Sequence, residues 1–293
     1  MKSMCTDLPD YDLIFVDAMN QASISFYAKR NLSYNGRPTG MVYGVLQQLV
    51  ALRRRYPTAK ICFLWEGHAS VRKAKYAVYK SQRKPKESDF MLSVHDLEAA
   101  IQHVGVYQAR HVGLEADDLA AYYCNKYKES KILLVSNDRD WWGCVRPGIS
   151  VFMKNEEYTY EDLMAELQFP PNKISLLKVL RGDSSDGVQG IPRFPTVLAL
   201  RLAKLCDSVD DFIPTLEKTA ATDSERKWLE VLKSSRDVLT RNAELLQYHP
   251  EWIREADLTL TKPAFNPVEL SKLMTELGLF SLLPKFCLAT YRE

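Results

Sequence analysis

Nine carboxylates, Asp17, Glu66, Glu115, Asp117, Asp118, Asp138, Asp140, Asp183 and Asp186, fall in five clusters along a chain of 293 residues. Each cluster comes just after an apolar run or a helix-like stretch. Three directly follow strand-like segments: LIFV before Asp17, ICFLW before Glu66 and ILLVSN before Asp138. Strands of one parallel sheet deliver whatever follows them to the same edge, so these acids are expected to gather on one rim. An all-oxygen donor set of this kind suits a hard divalent cation, Mg²⁺ or Mn²⁺, which takes oxygen ligands and keeps several waters. Zinc fits poorly, because the six cysteines include no CxxC pair and the five histidines (His68, His95, His103, His111 and His249) show no i, i+4 pairing. Scattered cysteines are most simply read as thiols of a reduced, intracellular, cytoplasmic protein, and the histidines as structural or surface residues.

Each cluster also has a plainer explanation. Glu115 and Asp118 stand at i, i+3 in the first turn of the helix-like LEADDLAAYY, where a negative charge favours the helix dipole and caps free N–H groups. Three acids in four residues exceed what a cap needs, and like charges this close repel unless a cation or protons offset them. Asp138 and Asp140 flank Arg139 and one of them would suffice to cap the next turn. Asp183 and Asp186, in RGDSSDGVQG, fit an Asx turn ending a helix. Asp17 and Glu66 say little singly. The recurrence of five such sites is what independent caps and turns do not explain.

Charge is nearly balanced at +2, yet residues 72 to 86, RKAKYAVYKSQRKPK, hold seven bases, two tyrosines and no acid. Arg72, Lys73, Lys75, Lys80 and Arg83 can neutralise phosphates, and Tyr76 and Tyr79 offer faces for an unpaired base. A charge run alone is more often a solvated helix face. Its position argues otherwise, because it starts six residues after Glu66 and so overlies the proposed rim.

The elements that must position these residues read as strand 12 to 17, helix 39 to 56, strand 60 to 65, a basic helix 70 to 80, helix 93 to 103, strand 105 to 109, helix 115 to 127, strand 131 to 136, a short helix from Asp138 and a strand near 149 to 153. That alternation is the signature of an α/β sheet sandwiched by helices. From about residue 159 strands nearly stop: Thr159 with Asp162 resembles a helix start, as does Pro171-Asn172, and the rest reads mainly as helices. Two lobes are implied, without a repeat or low-complexity linker. Composition, 46% hydrophobic and 26% charged, supports real cores. The N-terminus MKSMCTDLPDYD has no long apolar stretch, and no segment nears the roughly 18 residues that would span a bilayer, so secretion and membrane insertion are not expected. Trp65, Trp141 and Trp142 are expected in the core, and Arg53, Arg54 and Arg55 at a helix end.

As a set, these motifs resemble the flap endonucleases and 5′-3′ exonucleases, including bacteriophage 5′-exonucleases and the 5′-nuclease domain of bacterial DNA polymerase I. VDAMN around Asp17, GLEADD at 113 to 118, SNDRD at 136 to 140, GDSSDGVQGI at 182 to 191 and ELGLFSLL at 276 to 283 carry the resemblance over most of the chain. The resemblance implies a PIN-like parallel sheet flanked by helices over residues 1–170, with a basic helical arch at about 70–92. It implies a helical DNA-binding region over 171–293 carrying a degenerate helix-three-turn-helix element. By the same resemblance, one metal falls chiefly to Asp17, Glu66, Glu115 and Asp117 and a second to Asp138, Asp140 and Asp183, with Asp118 and Asp186 in an outer shell or sharing a metal. Arg72, Lys80 and Arg83 match the family's RxxxxxxYKxxR pattern, in which Lys and Arg face the scissile phosphate; Tyr79 would stack near the 5′ end. The implied activity is metal-dependent hydrolysis of DNA at 5′ ends, flaps or gaps by two ions about 3.5–4 Å apart, with Lys80 offsetting transition-state charge. RNA in hybrids is a further implied substrate, and a monomer the expected state.

Two departures qualify this. Glu66 stands where the family usually has Asp. The glycine-rich turn becomes GIPRFPTVLA at 190 to 199, with Arg193 and Pro195 at glycine positions and Val197 at the lysine. Glycines there would let backbone groups approach a duplex or a monovalent ion, and Pro195 has no N–H to offer. Altered duplex gripping is expected, the turn speaks against K⁺ binding, and Arg193 becomes a replacement phosphate contact. The alternatives are a non-catalytic or weakly active DNA-structure-binding member of the same fold, and a haloacid-dehalogenase-like phosphatase. The latter needs an acid two residues after Asp17, where the chain has Met19.

Overall fold

A computed structural model of the chain describes residues 10–287. The start of the N-terminal segment, with Cys5, lies outside the described residues, as do residues 288–293. At the centre is a sheet of seven strands. Leu13–Asp17 runs parallel between Lys60–Trp65 and Ile132–Val135. Tyr107–His111 continues the parallel sheet on one side and Ile149–Met153 on the other. Antiparallel strands Leu258–Thr261 and Glu156–Tyr158 form the two edges.

The period-two pattern of the strands decides which layer each side chain joins. Ile14, Val16, Ile61, Phe63, Leu133 and Val135 pack under the helices Ala18–Ala28, Gly40–Arg55 and Ser88–Gln102. Their neighbours in sequence, Phe15, Cys62, Leu64 and Leu134, face the helix Ala116–Lys126 and the indoles of Trp141 and Trp142. This is the PIN-like α/β sandwich that the sequence implied, and the three tryptophans are buried as expected. Arg53, Arg54 and Arg55 do close a helix, and Arg53 donates to the carbonyls of Val104 and Gly105. A separate core joins the helices Ile174–Arg181, Thr196–Leu205, Phe212–Thr219, Asp223–Ser234 and Arg236–Leu246 around Val179, Leu180, Ala199, Leu202, Phe212 and Leu232.

Several expectations need correction. The helix placed at 93 to 103 starts at Ser88, with Asp89 in its first turn. The strand placed at 105 to 109 lies at Tyr107–His111, because Gly105 (φ 70°) turns the chain first. Beyond residue 159 strands do nearly stop, but Leu258–Thr261 returns to the sheet, and the helix Pro267–Glu276 contributes Leu270 and Met274 to the core beneath the first helices. A hairpin at Ser33–Tyr34 and Arg37–Pro38 turns through Asn35 and Gly36, both with positive φ. Most relevant to the site, the basic helix stops at Lys75, and Tyr76 is already extended. Residues 76 to 87 form no helix, and Lys80 takes a left-handed backbone (φ 55°).

Candidate metal centre and nucleic-acid interface

The parallel strands bring four of the five acid clusters to one rim. Asp17 ends the first strand and starts the next helix, accepting from the Asn20 N–H at 3.0 Å and the Ser136 hydroxyl at 2.8 Å. Burial pushes its carboxyl up to about 7, with those two donors pulling the other way. Glu66 follows the second strand and is seated by the residue after it. The Gly67 N–H donates to the Leu114 carbonyl at 3.0 Å and the His68 N–H to the Val112 carbonyl at 2.9 Å. A Cβ on Gly67 would lie 2.0 Å from the His111 carbonyl oxygen and 2.4 Å from that of Leu114, so only glycine lets the two loops touch. Glu66 remains open to solvent at its edge, yet crowding by protein and the Glu115 charge push its carboxyl upward.

Glu115 and Asp118 frame the start of the helix Ala116–Lys126, and Asp118 accepts from the Glu115 N–H at 3.3 Å. The capping role and the clustering are thus both real. Asp117, between them, has its carboxyl driven well above the usual range by burial and by the Glu115 and Asp118 charges. Asp138 is exposed and accepts from the Asp140 N–H at 2.9 Å. The fifth cluster arrives from the helical half. Gly182–Asp183 pairs with Val188–Gln189, closing the loop in which Asp183 accepts from the Ser185 N–H at 2.8 Å, the Asx turn expected there.

Four cations of the chain occupy these acids. Arg72 is buried, holding Asp118 with both terminal nitrogens and Glu115 at 3.2 Å, and it also donates to the carbonyls of Leu245 and Gln247. Lys80 pairs with Glu115, and Arg83 with Asp186 at 2.7 Å. Lys178, on the helix Ile174–Arg181, bridges Asp140 and Asp183, the latter at 2.7 Å. The gateway segment is further latched to the acid loop. The Lys80 N–H donates to the Asp186 carbonyl at 2.9 Å, and Gln82 donates to the carbonyls of Ser184 and Ser185. Gly187 lies against that glutamine, where a Cβ would meet its Oε1 at 2.6 Å.

With the acids so paired, among the described residues no three His, Cys, Asp or Glu side chains stand ready to hold an ion. The expected closure of nine acids on two points is therefore not met by the side chains as they stand, because tethered cations sit among the oxygens. The donor set nevertheless fits hard divalent ions. It is all oxygen, and among the described residues no tethered cation lies within salt-bridge distance of Asp17, Glu66 or Asp117, whose carboxyls are all driven upward. Asp117, Asp140 and Asp186 line one cavity of about 20 Å³ beside Lys178 and Tyr248.

Arg72 and Tyr79 hold places other than those the resemblance implied, and Asp118 takes the outer-shell place it allowed. Arg72 is a buried clasp, so it does not face a substrate. Asp118 has its oxygens filled by Arg72 and by the N–H groups of Glu115 and His249, and so orients Glu115 rather than offering a ligand oxygen. Tyr79 is 2% exposed and donates from its hydroxyl to Glu115 at 2.7 Å, leaving no open face for a base. Lys73 and Lys75 are exposed, Lys75 pairing with Glu244 at 2.8 Å. In the turn at 190 to 199, Arg193 adopts the left-handed conformation (φ 58°) that a glycine would take freely, and it is exposed. Pro195 precedes the helix Thr196–Leu205 as its cap residue, and Val197 is 81% exposed. Residues missed in the sequence are Ser136, Gly67, Lys178 and Tyr248. Tyr248 donates to the Asp140 carbonyl, against a Gly143 whose Cβ would meet its hydroxyl at 2.3 Å. Of these only Lys178 carried a signal, lying five residues before Asp183 on a helix otherwise apolar toward the core.

A parallel sheet with acids at its carboxyl rim, a basic segment latched across them and a helical half bringing the last pair defines a PIN-like nuclease architecture. The chain belongs to the family described as 5′-3′ exonuclease, N-terminal resolvase-like domain, which matches residues 12–168. It is 26% identical over 277 residues to a 5′-3′ exonuclease of Aquifex aeolicus, covering 92% of this chain and 93% of that one. It is 25% identical to the thermostable DNA polymerase I of Thermus filiformis, of which it spans 34%. Among solved structures, it superposes on the flap endonuclease of bacteriophage T5 in a pseudo-enzyme-product complex with DNA and metal ions. That match has a TM-score of 0.62 and 19% identity, and covers 94% of this chain and 96% of that chain.

Proposed function

We propose that the chain is a Mg²⁺- or Mn²⁺-dependent 5′ nuclease that hydrolyses phosphodiesters at 5′ ends, flaps or gaps of DNA. One observation carries this: acids from five separate stretches meet beneath a basic segment whose Lys80 and Arg83 reach down to them. Asp17, Glu66, Glu115 and Asp117 would hold one ion, and Asp138, Asp140 and Asp183 a second, with Asp186 between. Bound divalent ions supply water activation and stabilise the leaving oxygen. The chain's own residues do the rest. Lys80 and Arg83, released from Glu115 and Asp186, meet the scissile phosphate and offset its growing charge. Arg72 and Asp118 keep Glu115 oriented. Exposed Lys73, Lys75 and Arg193 contribute phosphate contacts that set register rather than sequence preference. Residues up to about 170 would serve as the nuclease core with its arch, completed by the returning strand Leu258–Thr261 and the helix Pro267–Glu276, and the helices from Ile174 to Leu246 as the DNA-binding region expected over 171–293. The family match and the T5 enzyme seen with DNA and metal ions support this reading; RNA–DNA hybrids and a monomeric, intracellular state extend it. Among the described residues no helix is long and apolar enough to cross a membrane.

A 5′-labelled flap duplex incubated with Mg²⁺, Mn²⁺ or EDTA tests the proposal, because product length reports where the cut falls. Cleavage with either metal, none with EDTA, and none for Asp140→Asn despite retained flap binding is the expected result. Cutting in EDTA would contradict the scheme, and flap binding without cutting in either metal would favour a non-catalytic DNA-structure-binding protein.

A further inference from the structure

Lys178 differs from the other cations at the rim. It comes from the helical half rather than the arch, and its single ammonium stands between Asp140 and Asp183, two acids from opposite halves of the chain. Asp138 is the near neighbour of Asp140 in sequence and, among the described residues, has no cation within salt-bridge distance, so one positive charge from these residues is left to compensate three acids. Arg72 offers the contrast. Its planar fork is 3% exposed and fixed by five hydrogen bonds. Lys178 is a hydrated point charge on a flexible stem, 24% exposed, and it borders the cavity shared by Asp117, Asp140 and Asp186. The first cation is built to stay and the second is free to leave.

We propose that Lys178 is a tethered counter-ion of the Asp138–Asp140–Asp183 cluster, holding the two halves of the site together without metal and yielding its place when a divalent ion binds there. This rests on the two-ion reading above and goes further, because it makes the weaker ion's affinity a property of Lys178. A divalent ion must displace the ammonium to reach the oxygens of Asp140 and Asp183, so the protein's own cation competes with it. Lys178 is in this sense a positioning residue.

Mn²⁺ binding followed by electron paramagnetic resonance of the free ion, on the full chain without DNA, tests the idea with no reliance on turnover. Lys178→Met keeps the length of the stem and removes the charge. It is expected to tighten the weaker Mn²⁺ site about tenfold, roughly 1.4 kcal/mol, while lowering the melting temperature in EDTA and restoring it at saturating Mn²⁺. Lys178→Arg, which keeps the charge, should show no tightening. On the unmodified protein, acetylation of Lys178 mapped by mass spectrometry should accelerate several-fold when Mn²⁺ is added, which keeps the test decisive even if the Met variant does not fold. Two Mn²⁺ ions bound with unchanged or weaker affinity in Lys178→Met, or a Lys178 acetylation rate indifferent to Mn²⁺, would overturn the role of Lys178 alone. No Mn²⁺ bound to the unmodified protein would overturn the two-ion reading with it.

Discussion

Replacing Arg72 by Met separates a structural clasp from a substrate contact. The family pattern around RxxxxxxYKxxR puts this arginine with the residues that meet the phosphate, but the side chain is buried and makes five hydrogen bonds inside the protein. Two of them hold Asp118, which without Arg72 keeps only the N–H groups of Glu115 and His249. Breaking one side of a buried charge pair destabilises by about 3–5 kcal/mol, because the partner is left uncompensated. Treating the 293 residues as one cooperative unit with unfolding entropy of about 2 cal/mol/K per residue, that is a fall in melting temperature of about 5–8 °C. The assay is a thermal melt in EDTA followed by circular dichroism, with 5′-flap affinity measured well below both midpoints. Affinity should remain within about twofold, since no phosphate contact is removed. Adding Asp118→Asn removes the orphaned charge at the cost of one of the two N–H bonds, since these reach different oxygens of Asp118 and an amide has a single acceptor oxygen, and should still recover about 1 kcal/mol. A variant melting within about 1 °C of the parent but binding the flap ten times more weakly, about 1.4 kcal/mol, would refute the reasoning and return Arg72 to the substrate face.

Lys80→Ala should lower kcat by roughly 100-fold, about 2.7 kcal/mol of transition-state stabilisation, while changing flap affinity far less; a single-turnover assay beside a binding titration separates the two, and unchanged turnover removes Lys80 from the mechanism. Gly67→Ala forces a methyl to within 2.0 Å of the His111 carbonyl oxygen, so it should destabilise by about 2–5 kcal/mol through overpacking and two disturbed backbone hydrogen bonds. A denaturant titration measures this, and a parent-like midpoint would mean that Glu66 is not seated by that contact. Arg193→Gly relieves a left-handed non-glycine backbone and should stabilise by up to ~1 kcal/mol, while lowering the salt slope of duplex binding by about one. An unchanged slope would show that Arg193 touches no phosphate.

How much of this was legible in the sequence depended on whether the signal was local. Strand ends at Asp17, Glu66 and Asp138 could be read because short continuous apolar runs end just before them, as in strands buried on both faces, and parallel pairing then fixes the edge they reach. Thr159 with Asp162 could be read because a capping box is complete within four residues. The strand Leu258–Thr261 was missed although LTLT alternates, because its partner Tyr107–His111 lies some 150 residues earlier and nothing nearby announces the pairing. The basic segment was read as a longer helix because its composition favours one; the pull of Asp186 and the Ser184 and Ser185 carbonyls on Lys80 and Gln82 overrides that propensity.

The same distinction explains the site. Residue type told which acids could bind a hard ion, but not which would be occupied by the chain's own cations. Arg72, Tyr79 and Asp118 match family positions in sequence, yet burial turns all three inward as supports of Glu115. Lys80 and Lys178, by contrast, remain on flexible stems at the edge of solvent, each paired with a carboxylate that an ion would claim. If the rim takes divalent ions as proposed, a metal entering it would have to exchange places with these lysines. On the proposed two-ion reading, ion binding and substrate binding would be coupled through Lys80, since an ion that claims Glu115 would free the charge that meets the phosphate.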